Sequence, residues 1–252
     1  MASSGEGKKK AARRGSEKKT AKRASRGRKA KAAPKVKPAR ASQPSAVQSR
    51  PRNRQIVVLG MHRSGTSALT GALAGMGVHV GDTDELTPTS WENPRGFFER
   101  RDARKICDTL LHESGADWWK VSSFNPDNAN FESLVAQRAA IRALVEQLNE
   151  HGTWALKEPR LCFLLPIFLS ALNDPLAIIA IRHPVESARS LRRRNGFPIQ
   201  AGLALWEAYT TALLRTGLSM DHVFVDFQSL IERPGTTLTG LADELSSRGI
   251  RG

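Results

Sequence analysis

A short apolar run, followed at once by a glycine-containing loop and a helical pattern, limits the possible folds more than anything else in this sequence. Residues 56–59 are Ile, Val, Val and Leu, and Gly60 follows them. Four consecutive apolar residues that end at a glycine are typical of a strand buried on both faces in a parallel sheet. Apolar residues then recur at helical spacing, which predicts a helix over about 64–76. Such a strand, loop and helix are the building unit of α/β folds.

The rest of the chain continues this alternation of strands and helices. Short apolar runs predict further strands, and longer segments with apolar residues three and four positions apart predict helices. The expected strands are 153–156, 177–181 and 222–225, and the expected helices are 98–114, 131–150, 185–195, 199–216 and 236–248. Residues 82–97 are rich in Asp, Thr, Pro, Asn and Gly, which predicts a loop. We therefore expect an α/β fold in which helices cover both faces of a parallel sheet.

The first 54 residues differ from the rest in composition. They hold 19 Lys and Arg and two acidic residues, whereas residues 55–252 hold 20 and 22, so the net charge of +15 comes from the N-terminal segment. Because this segment has almost no large apolar side chain, we expect a disordered tail over 1–54 and a folded domain over 55–252. The positive charge of the tail favours weak binding to a polyanion, and a solvated tail without a partner is the alternative. The nearly neutral remainder excludes a basic nucleic-acid-binding fold for the whole chain.

The cysteines and the apolar segments indicate the compartment. Cys107 and Cys162 lie 55 residues apart without metal-ligand spacing, so neither a disulfide framework nor a cysteine zinc site is expected. The longest apolar stretches, 163–172 and 176–181, are much shorter than the ~20 residues of a membrane-spanning helix. The basic N-terminus has no apolar segment behind it, as a secretory signal would require. We expect no membrane span and a reducing compartment, the cytoplasm.

The loop after the first strand has the spacing of a phosphate-binding loop. Residues 60–67 read Gly-Met-His-Arg-Ser-Gly-Thr-Ser between the predicted strand and helix. Backbone N–H groups in such a loop, together with a helix N-terminus, face an anion. The spacing is that of a Walker A loop, but Thr66 stands where the Walker lysine would be. This argues against ATP or GTP hydrolysis, while Arg63 can supply positive charge; an ordinary strand–turn–helix corner is the alternative.

A second candidate anion site follows the third strand. Arg182 comes directly after that strand, where ligands of open α/β sheets bind. Pro184 is suited to the first turn of the following helix, and Ser190 lies on that helix. Arg182 and Ser190 could therefore clasp a second phosphate. The run 192–194 of three arginines could add to the positive field, although a solvated basic face is the more ordinary interpretation.

With both motifs in place, residues 55–235 resemble the sulfotransferases that use 3′-phosphoadenosine 5′-phosphosulfate (PAPS). The loop over 60–67 is similar to the family's 5′-phosphosulfate loop, and the Arg182 to Ser190 separation is similar to its 3′-phosphate site. Two further segments, 93–99 and 156–160, are similar to stretches of bacterial members. The resemblance implies a P-loop-like sulfotransferase architecture, PAPS as donor and no metal.

The resemblance also implies roles for single residues. Arg63 and the loop residues Ser64, Gly65, Thr66 and Ser67 would hold the donor, and the cations near its bridging oxygen would stabilise the charge that develops there. Lys157, at the end of the second strand, would assist the leaving phosphate. A surface lysine paired with Glu158 is the alternative for Lys157.

Two glutamates are candidates for the general base. Some family members carry a histidine two positions after the strand-end lysine, but here that position is Pro159. Others use a glutamate after the phosphate-loop helix, so Glu92 and Glu99 are the candidates, with Glu99 favoured as the start of a helix after an aromatic pair. A solvated acid in the first helical turn is the alternative for Glu99.

Three histidines and a tryptophan pair have ordinary structural interpretations. We expect structural or surface positions for His62, His112 and His183. Trp118 and Trp119 could line an acceptor pocket, but core packing is the more ordinary fate of such a pair.

The favoured function is sulfuryl transfer from PAPS to a hydroxyl or amine of a glycan, lipid, peptide or small metabolite. Two alternatives from other classes remain at this stage. One is a P-loop nucleotide or small-molecule kinase, and the other is a non-catalytic polyanion-binding protein that uses the tail.

Overall fold

The computed structural model describes residues 54–91, 93–125 and 130–250. The predicted tail over 1–54 lies outside these residues except for Arg54, so its disorder and the domain boundary stay predictions. The described residues form four strands, which are β1 Gln55–Leu59, β2 Trp154–Lys157, β3 Leu176–Ile181 and β4 His222–Asp226. The helices are α1 Thr66–Gly75, α2 Arg101–Glu113, α3 Phe131–Asn149, α4 Leu161–Phe168, α5 Pro184–Asn195, α6 Ile199–Gly217, α7 Phe227–Glu232 and α8 Pro234–Ser247.

The strands form one parallel sheet in the order β2-β1-β3-β4. Val57 pairs with Leu156 of β2 on one side and with Ala177 of β3 on the other, so β1 lies inside the sheet. His79 adds an isolated parallel bridge to Trp154, beyond the outer edge of β2. Because all strands run in the same direction, their carboxyl ends meet at one edge, where the loops after β1, β2, β3 and β4 lie together.

Helices cover both faces of the sheet, as the sequence predicts. Successive side chains of β1 point to opposite faces, so Val57 joins a core formed with α2, α3, α4 and α6, while Val58 joins a second core formed with α1 and α8. All five residues of β1 are buried. Burial on both faces explains why residues 56–59 of this strand are continuously apolar rather than alternating.

The structure confirms the predicted α/β class and its parallel sheet. Two helices were missing from the prediction, α4 and α7. The first contains Pro166 and is almost wholly apolar, so it shows no helical periodicity in the sequence. The second has six residues, too few for a periodic pattern. Over the described residues, no helix is long and apolar enough to cross a membrane.

Candidate active site

The loop between β1 and α1 is built around two glycines with positive φ. Gly60 has φ 153° and Gly65 has φ 95°, and residues with a Cβ rarely adopt such angles. A Cβ on Gly65 would lie 2.0 Å from the ring of Phe227, the residue that follows β4. Ser64 ties the loop to itself, since its hydroxyl donates to the Met61 carbonyl at 2.7 Å. The loop is therefore held in one shape by backbone conformation and close packing.

The N-terminus of α1 points its first amides out of this loop. The N-cap residue is Gly65, so no side chain caps the helix. The first N–H groups of a helix have no intrahelical acceptor and carry the positive end of its dipole. The amides of Gly65, Thr66 and Ser67 are thus suited to bind an anion.

Arg63 links the loop to the second predicted anion site. It adopts φ 69°, which is uncommon for a residue with a side chain. Its Nε donates to the hydroxyl of Ser190 on α5 at 3.0 Å. Arg182, directly after β3, donates to the Arg63 carbonyl at 2.8 Å. The structure therefore brings Arg63 of the first motif together with Arg182 and Ser190 of the second, although the motifs lie about 120 positions apart.

Contacts to both the side chain and the backbone hold Arg182 in place. Its guanidinium stacks on the ring of Phe227 at 4.4 Å, and its backbone carbonyl accepts a hydrogen bond from the indole of Trp206 at 3.0 Å. Partial burial lowers the pKa of Arg182, and the nearby Arg193 acts in the same direction, while Glu186 opposes them. The group stays charged at neutral pH because an arginine normally titrates above ~12. An anion beside it would relieve the unfavourable burial of that charge.

Lys157 forms a second cluster on the other side of the loop. Its ammonium donates to Glu99 Oε1 at 2.6 Å, to the Phe97 carbonyl at 2.9 Å and to the Ser67 hydroxyl at 3.2 Å. An ammonium has three donors, so each is used. Ser67 in turn donates to the Phe97 carbonyl at 3.1 Å. The strand-end lysine, the first turn of α1 and the predicted base thus share one hydrogen-bond network.

Two alternatives considered for these residues are wrong. Lys157 is not a surface residue paired with Glu158, because it is only 2% exposed and pairs with Glu99. Glu99 is not a solvated acid in a helical turn, because it is only 7% exposed and α2 begins two residues later, at Arg101. The expectation that Glu99 starts a helix is wrong for the same reason. The other candidate base, Glu92, lies outside the described residues.

A cavity of about 380 Å³ opens beside Glu99. Its wall includes His62 from the loop between β1 and α1, Trp118 and Phe97. Trp118 therefore borders the site and is not only a core residue, whereas Trp119 is half exposed. A cavity of this size can hold a small molecule or one end of a larger one.

His62 lies in the wall of this cavity. Its ring packs against Trp118 at 4.9 Å and edge-on to Tyr209 at 5.6 Å. Burial lowers the pKa of His62 well below its usual value, and the charges of Arg160 and Lys157 lower it further, so the imidazole is neutral at neutral pH. Its Nε2 is shielded from solvent and has no hydrogen-bond partner among the described residues.

An ion-pair cluster under the cavity was not foreseen from the sequence. Arg160 lies 2.7 Å from Glu158 and 2.6 Å from Asp108 of α2. Glu158 is fully buried, and burial together with the Glu99 charge raises its pKa, against the effect of Arg160. The available signal was the position of Glu158 and Arg160 directly after β2, at the edge of the sheet where the site lies.

Comparison with known proteins gives similarity in structure only. No family model and no curated protein matches the sequence. Among solved structures, the sulfotransferase domain of the Synechococcus olefin synthase is 19% identical with a TM-score of 0.49, over 79% of this chain and 75% of that one. A Mycobacterium tuberculosis sulfotransferase is 17% identical with a TM-score of 0.42, over 79% and 68%. A Janibacter sugar kinase is 12% identical with a TM-score of 0.45, over 79% and 95%.

Sulfotransferase domains are thus among the solved structures to which this chain is similar. At these identities and TM-scores the likeness does not decide the function, which has to follow from the site. Within the described residues, no group of three or more His, Cys, Asp or Glu side chains is arranged to hold a metal ion.

Proposed function

We propose that this chain transfers a sulfuryl group from PAPS to a hydroxyl or amine of an acceptor. The observation that carries the proposal is the hydrogen bond from Arg63 to Ser190, with Arg182 bound to the same loop. This bond joins a phosphate loop to a second cationic site. Adenosine 3′,5′-bisphosphate, the nucleotide portion of PAPS, carries phosphates at two separate positions and so requires two such sites.

The residues present fit that donor. The amides at the start of α1 would bind the 5′-phosphosulfate, since they have no intrahelical acceptors. The Arg182 guanidinium and the Ser190 hydroxyl would bind the 3′-phosphate, for which Arg182 supplies a charge-assisted contact. The glycines at 60 and 65 let backbone and ligand approach closely. Phe227 borders both sites and offers an aromatic face near the nucleotide.

Cations from two sides of the loop would stabilise the negative charge that develops during transfer. The sulfur–oxygen bond to the 5′-phosphate breaks, its electron pair stays on the phosphate oxygen, and a new bond forms between sulfur and the acceptor oxygen or nitrogen. Arg63 and Lys157 would stabilise the phosphate oxygen as its negative charge grows. Such a contact is stronger in the transition state than with bound substrate, so it accelerates the reaction.

Glu99 is our proposed general base, and its bond to Lys157 suggests how the two residues cooperate. In the structure the carboxylate and the ammonium neutralise each other at 2.6 Å. When Lys157 turns toward the donor oxygen, the Glu99 carboxylate becomes able to accept the acceptor's proton. Glu92 remains the second candidate for this role.

The kinase alternative has less support from the site. The Walker lysine position is occupied by Thr66, which is buried and carries no charge. The polyanion-binding alternative depends on the tail over 1–54 and stays a prediction.

Calorimetry on the full chain tests the donor assignment. Adenosine 3′,5′-bisphosphate should bind about 10–100-fold more tightly than 5′-AMP, because a hydrogen bond to a charged group is worth roughly 1.5–3 kcal/mol. The substitution Arg182→Gln should remove most of this difference. Arg189→Gln, on the exposed face of α5, is the matched control and should preserve it. Equal affinities of the unmodified chain for the two nucleotides would refute the 3′-phosphate site.

Transfer itself is tested with PAPS that carries a radioactive sulfate. Incubation with a panel of hydroxyl and amine acceptors should give a labelled product that depends on the protein. Release of label only as free sulfate, with every acceptor, would contradict the proposed transfer.

A further inference from the structure

The outer edge of β4 is open among the residues that the structure describes. β4 pairs with β3 on one side, and no other described strand or isolated bridge pairs with its second side. The opposite edge of the sheet differs, because His79 bridges to Trp154 there. A groove of about 500 Å³ is lined by all five residues of β4 and by α8. The helix that packs beside β4 therefore leaves space along the strand.

The backbone of β4 has groups directed at this open edge. The carbonyl of Asp221, just before the strand, accepts a hydrogen bond from Ala177 of β3 at 2.9 Å. In a parallel ladder, the backbone groups of every second residue face the same neighbour, so those of Val223 also face β3. The N–H and carbonyl groups of His222 and Phe224 consequently point away from β3. Edge groups of this kind are a template for another strand.

The side chains of β4 divide between the two faces of the sheet. Val223 and Val225 pack with the core formed with α1 and α8, so His222, Phe224 and Asp226 lie on the other face. Phe224 is 45% exposed although it is the middle residue of the strand. The strand contains neither the lysine nor the proline with which many edge strands block pairing. An exposed aromatic residue on an unblocked edge suits pairing with a further strand.

The sequence of β4 is complementary to itself when two copies run antiparallel. A two-fold axis at Phe224 places Phe224 opposite the partner's Phe224, Val223 opposite the partner's Val225, and His222 opposite the partner's Asp226. Aromatic pairs, β-branched pairs and pairs of opposite charge are all favourable between neighbouring strands. This register pairs all five residues, and it makes Phe224 a hydrogen-bonded pair because its backbone groups point to the open edge.

We propose that this chain forms a symmetric dimer through β4, in which the two sheets continue into one. The interface is isologous, so the same strand supplies both halves. The two Phe224 rings pack together at the axis. Nδ1 of His222 donates to the Met220 carbonyl at 2.9 Å, so Nε2 is the atom that approaches the partner's Asp226. Asp226 uses Oδ2 to cap α7, and its other carboxylate oxygen faces His222 of the partner subunit.

The basic segment over 1–54 is a poorer occupant of this edge than a second copy. It contains no aromatic residue and few β-branched residues, and these are the types that strands favour. It also lacks a stretch that matches β4 residue by residue, as β4 matches itself.

Sedimentation equilibrium of the full chain, at moderate salt, tests the proposal. The unmodified chain should show a dimer whose fraction rises with concentration. Phe224→Lys should weaken dimerisation about tenfold or more, since two like charges would replace an aromatic pair. Val135→Lys is the matched control, because Val135 on α3 is also an exposed apolar residue, and it should dimerise like the unmodified chain. Circular dichroism checks that each variant is folded.

A second pair of variants tests the register without changing Phe224. His222→Asp places like charges opposite each other at both ends of the paired strands, so it should weaken dimerisation about three- to tenfold. Adding Asp226→Asn to that chain should restore most of the loss, since asparagine carries no charge and still caps α7. Within one chain these positions are about 13 Å apart along the strand, so a rescue reports a contact between two copies.

The outcomes are decisive in either direction. A chain that stays monomeric at its highest soluble concentration refutes the dimer. A dimer that Phe224→Lys weakens no more than Val135→Lys does has its interface elsewhere, which also refutes it. If Phe224→Lys does not fold, the His222 pair decides, and the absence of weakening or of rescue overturns the proposed register. Nucleotide binding does not enter these measurements, so the proposed function stands or fails separately.

Discussion

Lys157→Met should be the most informative single substitution, because it breaks a buried ion pair and leaves a carboxylate behind. Lys157 and Glu99 have side chains only 2% and 9% exposed, so water cannot replace the lost partner. The Phe97 carbonyl and the Ser67 hydroxyl also lose a donor. Methionine keeps the length of the apolar stem, so the change in packing is small.

The expected loss follows from this geometry. Removing one partner of a buried ion pair typically lowers the free energy of unfolding by about 3–5 kcal/mol. Adding Glu99→Gln to the Lys157→Met chain removes the stranded charge, and it should restore about 2–3 kcal/mol, since an amide is less costly to bury than an ionised carboxylate. Lys105→Met, an exposed position on α2, should change stability by less than about 0.5 kcal/mol.

Urea unfolding followed by tryptophan fluorescence measures these differences for all four chains. If Lys157→Met lowers the free energy of unfolding by less than about 1 kcal/mol, or if the double variant is no more stable than the single one, the buried-pair reasoning is wrong. In the transfer assay, Lys157→Met should lower turnover by about 10²–10³, the range for losing one transition-state donor. Full turnover in that variant would refute the role proposed for the lysine.

The remaining predictions concern the loop, the donor site and pH. Gly65→Ala should abolish nucleotide binding in calorimetry, since its Cβ would lie 2.0 Å from Phe227, whereas Gly75→Ala meets no neighbour within 4 Å and should preserve it. Arg182→Ala should raise the KM for PAPS with little change in kcat, because the charge of a 3′-phosphate does not change during transfer. Burial is the main cause that lowers the pKa of His79, so below about pH 6.5 the unfolded state binds more protons than the folded state. The free energy of unfolding, measured in urea, should therefore fall below this pH, and it should fall less steeply in His79→Gln.

The sequence by itself determined the elements that carry the site. Gly60 after a continuous apolar run, and Arg182 after another, indicated strand ends because local spacing and burial on both faces leave a visible pattern. The lengths of most helices and the position of the glycine loop between β1 and α1 followed from the same local rules. The α4 helix was not predicted, because a buried, proline-containing helix has no polar face and so shows no helical periodicity in its sequence.

Only the tertiary structure decided which distant residues meet. The sequence left open a solvated acid at Glu99 and a surface pair of Lys157 with Glu158 as alternatives, yet the fold pairs Glu99 with Lys157 across 58 positions. Similarly, Arg104 and Arg194 gave no sign that they line one cavity. Ion pairs and cavity walls depend on how the helices pack on the sheet. Local sequence spacing does not predict that packing, because the whole core determines which elements contact each other.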